Sequence, residues 1–204
     1  YNDMQLASYF DAVSFSYLMH KGQNRRDLGI PYWVHVALVS STVAEWGGDP
    51  IQVEAALTHD VIEDTGIDLA GFVAVMGEEV GCIVDSLTGD KDKRISWRRR
   101  KLSYLFNFHE EIVDPRSYLC KLADMHSNMT SFTNTKIRTG VGTASENTIN
   151  SYVALTHICL AKLKKHGTDE QFRVAKFNMQ RMFDRVKGCE LSVAALLNRL
   201  SFDD

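Results

Sequence analysis

The chain of 204 residues has only 3 prolines and 4 cysteines, and no long apolar run. Few prolines leave helical periodicity almost uninterrupted, and apolar residues recur at helical spacing nearly throughout. With no strand pair or internal repeat visible, the pattern predicts an all-α fold. Cys82, Cys120, Cys159 and Cys189 stand 38, 39 and 30 residues apart, which excludes a zinc ribbon or a CxxC redox dithiol. Isolated cysteines of this kind are read as reduced, mostly buried residues of a cytoplasmic protein. The lack of roughly 18 uninterrupted apolar residues excludes a membrane-spanning helix. Charge of one sign is also lacking, since 23 Lys and Arg against 26 Asp and Glu give a formal net charge of −3. Neither a nucleic-acid partner nor a membrane partner is therefore expected, although a local cluster of cations can still take a small anion. No signal-like segment opens the chain at Tyr1.

What is present is enough apolar sequence, 45% of residues, for one sizeable core, so residues 1–204 are read as one domain. A first helix is predicted over 4–20, with Leu6, Phe10, Val13 and Tyr17 on its apolar face. Pro31 opens a second, which Gly47 and Gly48 end after Trp46. Asp49, Pro50 and Gln52 form a strong start signal for a third, expected to carry on through His59 to Thr65. Helices follow over 69–76 and 78–87. After a basic connection over 90–101, another runs to near His109, and Asp114-Pro115 starts one that reaches Phe132. Residues 134–143 are predicted to be a polar, mobile loop. The last helices are predicted over 144–165, 169–187 and 190–200.

The sharpest chemical signal is His59-Asp60-Val61-Ile62-Glu63-Asp64-Thr65. On a helix, adjacent residues point about 100° apart, so His59 and Asp60 can flank one metal ion. Glu63 and Asp64 stand four residues beyond them, where an acid can orient or deprotonate a water held at the metal. Acids near a helix C-terminus oppose its dipole, a small cost that a catalytic role would explain. Alone, His35 after Pro31-Tyr32 reads as a core histidine, and Asp124 in Lys121-Leu122-Ala123-Asp124 as a paired carboxylate. Together with His59 and Asp60 they make a His₂Asp₂ set suited to Mn, Fe, Co or Zn.

These segments, with Gly22-Gln23-Asn24-Arg25-Arg26, Asn128-Met129 and Tyr152, occur in the order and spacing of the hydrolase domain of RelA/SpoT proteins. The chain resembles that domain, an HD-type helical bundle, and its stand-alone relatives, the small alarmone hydrolases, over roughly residues 5–165. The resemblance implies a hydrolase that removes the 3′-pyrophosphate from (p)ppGpp-like nucleotides. It implies one Mn²⁺ held by His35, His59, Asp60 and Asp124, with Glu63 and Asp64 as the catalytic acids. It also implies that Arg25 packs on the purine, with Arg26, Lys121, Asn128 and Tyr152 lining the nucleotide site. A planar guanidinium suits a purine face, and amide and phenol groups suit ribose or phosphate oxygens.

Val36 stands where the family usually has proline, and Met125-His126-Ser127 where the long enzymes have Arg-Leu-His. Thr130 replaces a common arginine, which leaves the purine preference open. The run Arg98-Arg99-Arg100-Lys101 reads as a solvated helix face, with one or two of its cations within reach of a pyrophosphate. His20, His109, His126, His157 and His166 are read as structural or surface residues. About forty residues follow the last shared motif, so no synthetase domain is expected. The alternatives keep the site but change the substrate, to an adenine alarmone, NADPH or a deoxynucleotide, or make the chain a catalytically inactive alarmone-binding module.

Overall fold

A computed structural model describes residues 2–25, 29–90, 92, 94–142 and 144–188. Among them are ten helices: α1 (Asp3–Met19), α2 (Trp33–Glu45), α3 (Pro50–Thr58), α4 (Val61–Thr65), α5 (Leu69–Met76), α6 (Glu78–Leu87), α7 (Trp97–His109), α8 (Ser117–Thr139), α9 (Glu146–His166) and α10 (Asp169–Gly188). No strand occurs among the described residues, so the all-α expectation holds.

Two helices organise the bundle. α3 is buried on all sides, from Gln52 to Thr58, as expected of a helix enclosed by others. It packs against α1, α2, α6 and α8. α8 buries Leu119, Leu122, Ala123, Met125 and Met129, and packs against α2, α3, α6, α9 and α10. The start of α3 follows its sequence: Asp49 accepts from the backbone N–H of Gln52, and the Gln52 side chain accepts in return from that of Asp49. The predicted helix over 190–200 lies outside the described residues.

The structure corrects four expectations. First, the third helix does not continue through His59 and Asp60. It stops at Thr58, Asp60 takes φ −96° and ψ −4°, and α4 begins afresh at Val61. His59 Nδ1 lies 2.8 Å from the carbonyl of Ala56 at this break, and Gly66, at φ +82°, ends α4 in the left-handed conformation that glycine tolerates. Second, residues 134–139 are helical, because α8 runs on to a left-handed Gly140. Third, the helix before His109 starts at Trp97, inside the expected connection over 90–101.

The fourth correction concerns α1. Leu6, Phe10 and Tyr17 are exposed, and of the expected face only Val13 packs inward, beside Tyr9, Ala12, Phe15, Ser16 and Met19. Ser16 is fully buried because its hydroxyl donates to the carbonyl of Leu57 at 2.8 Å. A polar residue satisfied in this way packs as well as an apolar one, which hydrophobic spacing does not anticipate.

Candidate active site

Three pieces of chain converge at one buried point: the first turns of α2, the α3–α4 break, and α8. His35 Nε2 lies 3.3 Å from Asp124 Oδ1 and 3.7 Å from Asp60 Oδ2. His59 Nε2 lies 3.0 Å from Asp60 Oδ2 and 3.7 Å from Asp124 Oδ1. Ligand atoms of His35, His59 and Asp124 all fall within 4.8 Å of one another. Two donor atoms each about 2.1 Å from one ion lie about 3.0 Å apart at a right angle and about 3.4 Å at a tetrahedral angle, so the spacing fits ligands around a single cation.

A second observation agrees. A carbonyl only accepts, so the contact with Ala56 fixes the proton of His59 on Nδ1 and turns the Nε2 lone pair toward the carboxylates. That Nε2 is buried and, although 3.0 Å from Asp60 Oδ2, makes no well-aligned hydrogen bond to a described residue. An imidazole nitrogen orphaned beside two carboxylates is explained by a cation between them. His35 is oriented in the same manner, with Nδ1 3.0 Å from Ser127 Oγ.

Electrostatics point the same way. Burial alone would raise Asp60 and Asp124. The imidazole of His59 holds Asp60 below the usual carboxylate range, and Lys121 with the two histidines does the same for Asp124. Burial would lower His59, but the two carboxylates outweigh it and raise its pKa, so the cluster attracts a positive charge. His35 is lowered by burial and stays a neutral donor.

The carboxylates are held from outside as well. Tyr32 Oη donates to Asp60 Oδ2 at 2.6 Å. Lys121 Nζ donates to Asp124 Oδ2 at 2.8 Å, and Asn128 Nδ2 donates to Asp124 Oδ1 at 2.7 Å. Arg25 Nη2 in turn donates to Asn128 Oδ1 at 2.9 Å, and its guanidinium lies 6.0 Å from the centre of the Tyr32 ring.

Two cavities open beside the cluster. The polar one, about 190 Å³, is lined by Asp60, Glu63, Lys101, Lys121, Asn128 and Tyr152 among others. The second, about 200 Å³, lies against His35 and is lined by Arg25, Ile30, Val34, Leu38 and the α8 residues His126, Ser127, Thr130, Ser131 and Asn134. Most of the residues singled out in the sequence therefore meet around one point. Glu63 faces the polar cavity, where its Oε2 accepts from the Gly89 N–H at 3.3 Å. Burial, then the charge of Asp60, pushes its pKa up, as it does for Asp64. Asp64 is not in the lining of either cavity and stands nearer Tyr32 and His20. Arg26 lies outside the described residues.

Lys101 is the cation of the basic run that lines the polar cavity, one of a run expected to bring one or two cations within reach of a pyrophosphate. Sequence reasoning missed three other participants. Tyr104, one turn further along α7, lies between the cations, its ring centre 5.8 Å from Lys101 Nζ and 5.3 Å from Lys121 Nζ. The i, i+3 spacing of Lys101 and Tyr104 was the available signal. Tyr32 stands in the motif, but nothing in the sequence assigns it a role. His126, read as structural or surface, forms part of the second cavity's wall.

A helical bundle with a buried His/His/Asp cluster that can hold a metal defines the class, and the sequence comparisons name it. The HD-domain family profile matches residues 12–157, and the chain belongs to that family. A guanosine-3′,5′-bis(diphosphate) 3′-pyrophosphohydrolase of Vibrio cholerae is 35% identical over 127 residues, which are 58% of this chain and 18% of that protein. A GTP pyrophosphokinase of Streptomyces coelicolor is 31% identical over 138 residues, 68% of this chain and 16% of that protein. The chain thus spans under a fifth of the length of either relative. A solved structure of a metazoan ortholog of SpoT, described as hydrolyzing ppGpp and acting in starvation responses, superposes with a TM-score of 0.67. It is 23% identical and covers 88% of this chain and 95% of its own. No described helix is long and apolar enough to cross a membrane.

Proposed function

We propose that the chain is a metal-dependent phosphohydrolase that removes the 3′-pyrophosphate from (p)ppGpp-like nucleotides, giving GDP or GTP and pyrophosphate. The observation that carries this is the cation-attracting cluster set between a polar cavity holding Lys101 and an apolar cavity bordered by Arg25. A phosphate chain needs several charges and donors around its oxygens, whereas a base is cheaply desolvated against apolar walls. The names of the relatives support the substrate class.

His35, His59, Asp60 and Asp124 would hold the ion; the mixed imidazole and carboxylate donors suit Mn, Fe, Co or Zn, and the resemblance to the alarmone hydrolases favours Mn²⁺. When bound, it supplies Lewis acidity and charge neutralisation for cleavage of the phosphorus–oxygen bond. Glu63 accepts the proton of the attacking water, because it faces the polar cavity, and burial and the charge of Asp60 raise its basicity. The water oxygen bonds to the phosphorus next to the ribose, the bond to the 3′ oxygen breaks, and a proton goes to the departing hydroxyl. Lys101 neutralises the pyrophosphate, while Lys121 is occupied in balancing Asp124. Asn128 and Tyr152 complete the nucleotide wall, with Arg25 at the base.

α10 packs on α8 and α9, which supports reading the chain as one domain that extends past the HD match. Cys120 and Cys159 are free and buried and Cys82 is free and exposed, which suits a reducing, cytoplasmic setting. Pyrophosphate release from a panel of ppGpp, ppApp, NADPH and deoxynucleotides with added Mn²⁺ tests the proposal. Release from ppGpp is the expected result, and none from ppGpp would overturn it.

A further inference from the structure

The apolar cavity beside His35 has one polar wall group whose orientation is dictated from outside the HD match. Asn134, on the fifth turn of α8, lines this cavity. Its Oδ1 accepts a hydrogen bond from Arg185 Nη2, a residue of α10 that lies beyond residues 12–157. A guanidinium has donors and no acceptor, so this bond fixes which end of the amide is oxygen. Asn134 Nδ2 is then left as a donor at the exposed rim of the cavity. The hydroxyl protons of Thr42 and Thr130 on the same wall are already donated to the carbonyls of Leu38 and His126, each at 2.8 Å.

We propose that Asn134, oriented by Arg185, reads the purine edge and favours a 6-oxopurine over a 6-aminopurine. The two bases differ at that edge in sign: guanine presents an O6 acceptor where adenine presents an N6 donor. A fixed amide N–H pairs with the first and opposes the second. Arg185 acts as a positioning residue, since it touches Asn134 and is not in the cavity lining. The inference rests on the nucleotide reading above, with the base in the apolar cavity.

The test measures binding of GDP and ADP to the whole Mn²⁺-loaded chain by calorimetry, alongside pyrophosphate release from ppGpp. GDP should bind more tightly by roughly 3- to 10-fold, the size of one neutral hydrogen bond. Asn134→Leu should bring the two affinities together, and Asn134→Asp, which replaces the donor by an acceptor, should turn the preference toward ADP. Arg185→Met should shrink the ratio while Arg185→Lys, which keeps a donor for Oδ1, restores it. A purely structural role for Arg185 would not move a ratio of two ligands. Equal affinities in the parent, or a ratio unchanged by Asn134→Leu and Asn134→Asp, would overturn the proposal. A GDP preference that responds to Asn134 without pyrophosphate release would support the base reader and overturn the hydrolase reading alone.

Discussion

Asn128 donates a 2.7 Å side-chain hydrogen bond to Oδ1 of Asp124. Its own Oδ1 accepts from Arg25, so one amide connects the apolar cavity to the cluster. Asn128→Ala would leave Asp124 and Arg25 each short of a partner. Loss of a group that supports a metal ligand typically costs about 10- to 100-fold in metal affinity or activity. Mn²⁺ titration and steady-state kinetics on the same variant check this, and an unchanged metal affinity together with an unchanged kcat/KM would count against it.

The four proposed ligands should behave alike. About one Mn²⁺ per chain is expected after reconstitution, as for one His₂Asp₂ set. His35→Ala and Asp124→Ala should each lower that content sharply in elemental analysis. Parental metal content in both variants would remove these residues from the ligand set.

The two acids should differ. Glu63 faces the polar cavity and Asp64 does not. Glu63→Gln should retain the metal and lose about 10²- to 10⁴-fold in kcat, the usual cost of removing a general base. Asp64→Asn should lose less. If Asp64→Asn proved the more damaging of the two, the proton acceptor would have to be reassigned.

Lys101 is pushed below the ordinary lysine range, first by burial and then by the charge of Lys121. A lysine with a lowered pKa is deprotonated at lower pH than its exposed neighbours. It should therefore react faster with an amine-directed acylating reagent near pH 8, and added ppGpp should protect it. Peptide mapping of the modified protein reads this directly. Lys101→Met should raise KM for ppGpp while leaving metal content at the parental level.

Glu111 ties the turn after α7 to the end of α9, accepting from Lys162 Nζ at 2.7 Å and Lys165 Nζ at 2.8 Å and lying 2.9 Å from His166 Nε2. Hydrogen bonds from Lys162 and then Lys165 hold its pKa down at about 2. A depressed carboxylate pKa contributes stability above the unfolded value and loses it as pH falls toward the folded one. Glu111→Gln should therefore melt below the parent at pH 7, with the gap closing between the ordinary carboxylate pKa of 4.5 and about 2. A gap that widens on acidification would contradict the assignment.

The sequence by itself determined the class of fold and the residues of the cluster. Helical periodicity and the Asp49–Gln52 start signal are local properties of the chain, and the metal-ligating types stand in recognisable short segments. What only the tertiary structure decided is how those residues face one another. The break between Thr58 and Val61 is made by a histidine side chain held at the Ala56 carbonyl, a local competition that spacing does not reveal. It is this break, and not a continuous helix, that turns His59 and Asp60 onto one point and Glu63 into the cavity. Which cation of the Arg98–Lys101 run lines the cavity was decided in the same way, because burial depends on what another helix covers. The inward face of α1 is decided in the same way: apolar spacing marks a helix, but partners such as Leu57 decide which side of it is inside.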